Sequence, residues 1–418
     1  MIRKLELLLL AAVVVVAAFS TGLSFLFYLV YLGLLILGGS YVLTRLGLSD
    51  LEAGYAVSQL TGHVGDRVKV TYTMRNTSRL PKPWLEAHNP TSLPSGLPGR
   101  ALSLGARTER SWAVRMPLIR RGHFRVEPLQ IRTGDPFGFF ESAATVGTGV
   151  SVVVYPRVEA LPRWRLPAAN LDGSHAMRER TLQTTPLATT VRPWAPGDAF
   201  NRIHWKSTAR HGDIQVKEFD LEQTADLWVI LDLDRGVQAG AGDESTVEAA
   251  IRVAASITDV AIQENRAVGA TVSAHRLTNL PPDRGSRQRL KLMQLLAAVD
   301  GDGTTPLSEA LVAAVPRIRR GMTVVVITSS LDRTWVKPLS TLRTRGVACV
   351  VAWLDPGAFE AFARQERARR GAAEEPEDDE VASSRRQAIR ALRHALAEFD
   401  IRMHSVVPAK PLGDLLVG

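Results

Sequence analysis

The sequence predicts a multidomain chain: an N-terminal two-helix membrane hairpin, an all-β sandwich-like domain and an α/β domain of Rossmann type. Three observations carry this expectation. Residues Leu7 to Thr44 contain no charged side chain. In Arg67–Arg75, Val68, Val70, Tyr72 and Met74 alternate with polar residues, the period of a strand with one buried face. From residue 225 onward, short apolar runs alternate with helical ones, the pattern of a mostly parallel sheet covered on both faces. The expected boundaries are 1–48 for the hairpin, 52–155 for the β domain, 156–191 for a connector and 192–410 for the α/β domain. An acidic insertion is expected within the last, at 371–384.

The uncharged N-terminal stretch is 38 residues long, roughly 57 Å as one helix at 1.5 Å per residue. A bilayer core is about 30 Å thick, so two helices joined at Ser20–Ser24 fit better, with Gly22 supplying the turn. Arg3 and Lys4 flank one end and Arg45 the other, while the tip is uncharged. The positive-inside rule then places both chain ends in the cytoplasm of a cell-membrane protein. A cleaved signal peptide over residues 1–18 is the competing reading.

In the β domain, strand pairs are expected around Ser111–Pro117 and His123–Thr133. A turn is expected at Asp135–Phe140, and a closing strand at Val150–Pro156. Short strands at this spacing suggest an antiparallel sandwich. Residues 100–132 hold eight arginines and two acids; they line either a solvated sheet face or a surface for lipid headgroups or an acidic partner.

In the α/β domain the expected strands are Asp226–Asp234, Val268–Ala274, Met322–Ser330, Val347–Asp355 and Ile401–Val407. Helical runs fall near 245–266, 287–300, 306–319, 334–345 and 385–398. The single cysteine, Cys349, sits in an apolar run and reads as a buried filler; one cysteine makes no intrachain disulfide or thiolate cluster. Residues 374–380, EEPEDDE, read as a solvated insertion.

The net charge of +9 comes from 51 Lys and Arg against 42 Asp and Glu. That balance suits an anionic membrane leaflet. No nucleic-acid motif accompanies it, and the arginines are spread among strands, so nucleic acid is not an expected partner. The chain carries no HExxH, GxSxG, CxxC, Walker A or GxGxxG motif. These absences weigh against an enzyme built on one of those motifs, and no catalytic residue is expected.

The densest signal is Arg192–Glu218. Pro196-Gly197 marks a turn, Asp198 is a candidate helix N-cap, and Gly212 suits the C-terminal cap. A helix between them would carry Arg202, Lys206 and Arg210 as a basic stripe at i, i+4 and i+8. Two readings stay open. Arg192, Asp198 and Arg210 pair internally and clamp the segment, or the segment docks an acidic partner. Asp232 and Asp234 stand at the end of the first α/β strand, where an open sheet of this type places ligands. Thr305 and Ser329 lie in neighbouring loops and add hydroxyls, hard oxygen ligands that suit Mg²⁺.

These features together resemble the domain of unknown function 58 family, whose motif approximates R-x-[YW]-x-P-G-D-x-x-R-x-I-x-W-x-x-[ST]-A-R. The matching residues are Arg192, Trp194, Pro196, Gly197, Asp198, Arg202, Ile203, Trp205, Ala209 and Arg210. Arg120-Arg121-Gly122 and Asp135-Pro136-Phe137-Gly138 resemble a second stretch typical of the family's β domain. The resemblance implies two N-terminal membrane helices and a von Willebrand factor A-like domain. It also implies an adaptor role beside a MoxR-type AAA+ ATPase. In the A-like fold the metal-ion-dependent adhesion motif is D-x-S-x-S. Here Asp232 keeps the first position, Asp234 replaces the first serine and Gly236 the second. Thr305 aligns with the loop threonine, and Ser329 stands near the place of a missing aspartate. The implied site is therefore degenerate: either a weak Mg²⁺ site or a structural remnant. A metal-dependent hydrolase using Asp232 and Asp234 is the competing function.

Overall fold

The computed structural model describes residues 2–164, 190–196, 198, 200, 203–218, 225–371 and 379–416. Gly197 and Arg202 of the motif, 165–189 of the connector and 372–378 of the acidic insertion lie outside them. The chain divides into two compact units, Met1–Val158 with Met293–Val299, and Glu159–Leu292 with Asp300–Gly418.

The first unit begins with helices α1 (Ile2–Thr21) and α2 (Ser24–Gly47). Between them Gly22 adopts φ 66°, a left-handed turn that a side chain would strain. Phe19 and Phe27 then meet edge to face at 5.4 Å. Among the described residues, α2 is the one helix long and apolar enough to cross a membrane; the apolar part described in α1, Leu9–Thr21, is shorter. Between Leu9 and Leu43 the large exposed side chains of both helices are aliphatic and aromatic, unlike a soluble surface.

Ten strands follow: β1 (Leu51–Val57), β2 (Thr61–His63), β3 (Arg67–Asn76), β4 (Lys82–His88), β5 (Arg100–Leu104), β6 (Glu109–Pro117), β7 (Gly122–Val126), β8 (Leu129–Gly134), β9 (Glu141–Val146) and β10 (Val150–Tyr155). They form three sheets, ordered β1-β3-β6, β5-β4-β8-β9 and β2-β10-β7. Val68, Val70, Tyr72 and Met74 are buried and their neighbours on β3 are not, as the alternation requires. They share one core with Leu85, Leu104, Met116, Leu129 and Val152. One pairing departs from an all-antiparallel sandwich: β2 runs parallel to β10, with Thr61 opposite Val153.

Lys82 is buried, and its ammonium donates to the carbonyls of Leu46 and, at 2.8 Å, Ser49. It thus caps the C-terminal end of α2, where a cation is favoured. Desolvation lowers the pKa of this amine. Gly47 lies against Thr133 of β8, where a Cβ would stand 2.7 Å from the threonine methyl.

The second unit opens with the hairpin of β11 (Thr190–Pro193) and β12 (Gln215–Glu218), with α3 (Trp205–His211) between the strands. Then come β13 (Leu227–Asp232), α4 (Thr246–Gln263), β14 (Val268–Ser273), β15 (Leu277–Asp283), α5 (Gly285–Ala298), α6 (Leu307–Ala314), β16 (Thr323–Thr328), α7 (Val336–Thr344), β17 (Ala348–Leu354), α8 (Pro356–Arg369), α9 (Asp379–Ala397), β18 (Arg402–Val406) and α10 (Leu412–Leu415). The sheet order is β15-β14-β13-β16-β17-β18, parallel except for the β14–β15 pair. β13, β14, β16 and β17 are buried along their whole length, as strands covered on both faces must be. Ser245 caps α4 by accepting from the Glu248 N–H, one half of a capping box.

Several elements were not expected from the sequence, among them β2, β11, β15, α8 and α10. The edge strand β15 carries Pro281-Pro282 just before its last residue, Asp283, tolerable because its outer side has no ladder partner. Its pairing to β14 shifts register between Val268 and Ala270, and Gly269 sits at that shift. A Cβ there would lie 2.8 Å from the Trp228 ring. The helix α8 starts at Asp355-Pro356, with the Asp355 carboxylate accepting from the N–H groups of Gly357 and Ala358. Helix α9 begins at Asp379, within the expected insertion, with two acids in its first turn.

Candidate functional site

Two places bring the sequence-derived candidates together. The first is the β11–α3–β12 segment. The Arg192 guanidinium grips Asp198 with two hydrogen bonds of 2.8 Å, and the same carboxylate accepts from the Ala195 N–H at 2.9 Å. Pro196 sits in the turn thus closed, and Asp198 donates its own N–H to the Ala195 carbonyl at 3.1 Å. This corrects the expectation that Asp198 starts the helix. Its oxygens are committed to the arginine fork, a stronger bidentate partner than a helix N–H. The helix starts seven residues later, and His204 caps it by accepting from the Ser207 N–H. Gly212, at φ 80°, closes it in the left-handed C-terminal cap, as expected.

The helix is seated by the hairpin on both sides. Trp194 donates its N–H to Ile214 at 2.8 Å, His204 donates to Gln215 at 2.7 Å, and Gln215 donates to the Thr208 hydroxyl at 3.0 Å. Ile203 and Val216 bridge and are buried. What the segment leaves outside is unusual. Trp205 is 69% exposed and Phe200 75% exposed, and Trp194 is also partly exposed. Lys206 and Arg210 are exposed one helical turn apart, and Ala209 lies between them, also exposed. Phe200 is outside and Ile203 inside.

The second place is the crevice where the strand order of the six-stranded sheet reverses, between the C-terminal ends of β13 and β16. Asp232 is buried there. One carboxylate oxygen accepts from the Thr328 hydroxyl at 2.6 Å, and the other accepts from the Asp234 N–H at 3.1 Å. Burial pushes its pKa up from 3.8 to about 6, against the opposing pull of these hydrogen bonds. Asp234 lies past the strand end and turns its carboxylate to the Gly236 N–H at 3.0 Å. The strand stops at Asp232, so the two side chains do not follow strand alternation.

The loop carrying Gly303 is strapped across this strand end. Its N–H donates to Leu233 at 3.1 Å, and its carbonyl accepts from Arg235 at 3.0 Å. A Cβ at Gly303 would stand 2.7 Å from two backbone carbonyl oxygens, so only glycine fits. Thr305 contributes its carbonyl to the Ser273 hydroxyl at 2.7 Å. The Ser329 hydroxyl is buried with no hydrogen-bond partner among the described residues.

Each carboxylate of this set has a protein hydrogen-bond partner of its own. Both oxygens of Asp232 already accept hydrogen bonds, and Asp234 is turned to its own loop. Among the described residues no three His, Cys, Asp or Glu side chains converge. Cys349 is buried, and burial pushes its thiol up to about 12, which leaves it an inert filler.

The chain is 25% identical over 312 residues to the uncharacterized protein YeaD of Bacillus subtilis, covering 72% of this chain and 75% of that one. It is 24% identical over 170 residues to the uncharacterized protein Rv1480 of Mycobacterium tuberculosis, spanning 40% of this chain and 54% of that one. Among solved structures, the CARDB domain of PF1109 from Pyrococcus furiosus aligns with 25% of this chain and 92% of its own. That alignment has 14% identity and a TM-score of 0.19, too low to support a shared fold. Residues 190–395, which hold the ion-paired hairpin, α3 and most of the six-stranded sheet, match the family described as protein of unknown function DUF58.

Proposed function

We propose that this protein is a membrane-anchored, non-enzymatic adaptor whose β11–α3–β12 segment docks a cytoplasmic MoxR-type AAA+ ATPase. The observation that carries the reading is Trp205. It stands 69% exposed on a short helix that also exposes Lys206 and Arg210, on a support locked by the Arg192–Asp198 fork. A large aromatic held out by a rigid frame, on an element that also exposes cations, has the composition of an interface hot spot. The segment spends its polar groups on holding itself in shape, not on a concave site. The basic flank suits an acidic partner surface. The anchor is α2, 24 residues long, or about 36 Å at 1.5 Å per residue. In the fuller form of this reading α1 is a second span and both chain ends are cytoplasmic.

The second unit is best understood as a von Willebrand factor A-like domain. The order β15-β14-β13-β16-β17-β18, with one antiparallel edge strand, supports that reading. So does the placement of Asp232 at the crevice. The hydrolase alternative needs Asp232 and Asp234 to act on a shared substrate or metal, and their separate hydrogen-bond commitments weigh against it.

The test is a photo-crosslinking amino acid placed at Trp205 in cells producing the full chain. A crosslink to an AAA+ ATPase, absent when the probe stands at the exposed Val312 of α6, is expected. Crosslinks at Trp205 that never include an ATPase would overturn the assignment.

A further inference from the structure

The first unit concentrates aromatic side chains beside the C-terminal half of α2. The Phe140 ring meets Tyr41 of α2 edge to face at 5.7 Å. Phe137 and Phe139 stack on each other at 5.8 Å, and Phe137 is 60% exposed. Trp84 is exposed close by, since a Cβ on Gly134 would touch its ring at 3.3 Å. None of these four belongs to the buried core of the β domain.

The turn that presents the two phenylalanines is stiff. The Asp135 carboxylate accepts from the N–H groups of Phe137 at 2.9 Å and Phe140 at 2.6 Å. Gly138 donates its N–H back to the Asp135 carbonyl at 3.2 Å, with φ 74°. Burial raises the Asp135 pKa, but the N–H groups of Phe140, Phe137 and Phe139 outweigh it and hold the carboxyl below its ordinary range. The turn therefore keeps its shape and its charge while pushing apolar rings outward.

The height of this turn along α2 is fixed too. Gly47 abuts Thr133, and Lys82 binds the carbonyls of Leu46 and Ser49. Tyr41 is the eighteenth residue of α2, about 26 Å from the helix start at 1.5 Å per residue. A hydrocarbon core is about 30 Å thick. The rings beside Tyr41 then fall at the boundary between acyl chains and headgroups, where aromatic side chains are favoured.

We propose that Phe137 and Phe139 form a membrane-interface anchor, inserting into the leaflet from which α2 emerges and fixing the β domain against the bilayer. This rests on the reading of α2 as a membrane span. The occupant is lipid because the patch meets α2 at Tyr41 and is continuous with its apolar surface.

Site-directed spin labelling tests it. The full chain carries Cys349→Ala, with single cysteines introduced in turn at Phe137, at Leu35 in mid-α2 and at Arg110 on β6. Each is labelled with a nitroxide and reconstituted into phosphatidylcholine–phosphatidylglycerol vesicles. Collisions with oxygen and with a water-soluble nickel chelate report depth. The expected order is Leu35 deep, Phe137 shallow but inside the bilayer, and Arg110 aqueous. A label at 137 as open to the chelate as one at 110, with 35 still deep, overturns the loop anchor and leaves the span standing. A label at 137 shielded from both reagents means that protein covers it, which also overturns the proposal. Chelate access at 35 removes the span, and the loop anchor with it.

Discussion

Asp232→Asn is expected to stabilise the second unit at neutral pH and to do nothing in acid. Asp232 is buried, and its pKa rises from 3.8 to about 6 on folding. At about 1.4 kcal/mol per pH unit, ionising this group in the folded state costs about 3 kcal/mol at pH 7. The sign follows from proton binding. Below pH 3.8 both folded and unfolded chains carry the proton, and no difference arises. Between 3.8 and about 6 the folded chain holds the proton that the unfolded chain has lost, so stability falls as pH rises. Above about 6 both are ionised and the full penalty persists. Asparagine keeps the size, an oxygen for the Asp234 N–H and a donor for the Thr328 oxygen, and cannot ionise. Urea unfolding of the full chain in detergent, followed by tryptophan fluorescence, reads the effect. Trp228, Trp335 and Trp353 all lie in the core of this sheet. The variant should gain about 3 kcal/mol at pH 7.5, and the gain should vanish near pH 3.5. An equal loss at both pH values would refute the reasoning, because it would show that the carboxylate is needed for shape or for a ligand.

Four further outcomes follow from the same geometry. Arg192→Ala should loosen the β11–β12 hairpin by about 1 kcal/mol, an ordinary magnitude for a partly exposed pair. Faster hydrogen exchange at residues 190–198 checks it, and Arg192→Lys should rescue little because it lacks the fork. Gly303→Ala forces a Cβ against two carbonyl oxygens and should cost about 1–3 kcal/mol, read as a lower urea midpoint. Lys82→Met strands the carbonyls of Leu46 and Ser49 at about 1–3 kcal/mol, read as faster exchange at the α2–β1 junction. Cys349 should resist maleimide in the native protein and react on unfolding, and rapid native labelling would contradict its burial.

Much of the fold was legible because its signals are local. The alternation of β3 and the continuous apolar runs of β13, β14, β16 and β17 each follow from burial on one face or two. What escaped was set by tertiary context. Strand β15 is half-exposed and carries two prolines, so only its place at the sheet edge makes it a strand. The parallel pairing of three-residue β2 with β10 has no local mark at all. Helix α8 is poor in apolar residues, so periodicity does not mark it, although Asp355-Pro356 is a legible start signal. In the candidate site the residue types were readable, but their partners were not. Asp198 looks like a helix cap until the fold brings Arg192 across the turn, and the pairing of Asp232 with Thr328 joins residues 96 positions apart.

The central claim is that the exposed face of α3 docks an AAA+ ATPase. The full chain in mild detergent serves as bait, with and without ATP, beside Lys206→Glu/Arg210→Glu. Both residues are exposed, so the double variant should fold with stability within about 0.5 kcal/mol of the parent. The account predicts nucleotide-dependent recovery of an AAA+ ATPase by the parent chain and at least a tenfold loss with the charge-reversed one. Equal recovery by both would take the docking surface away from α3, and recovery of no ATPase in either nucleotide state would contradict the adaptor function itself.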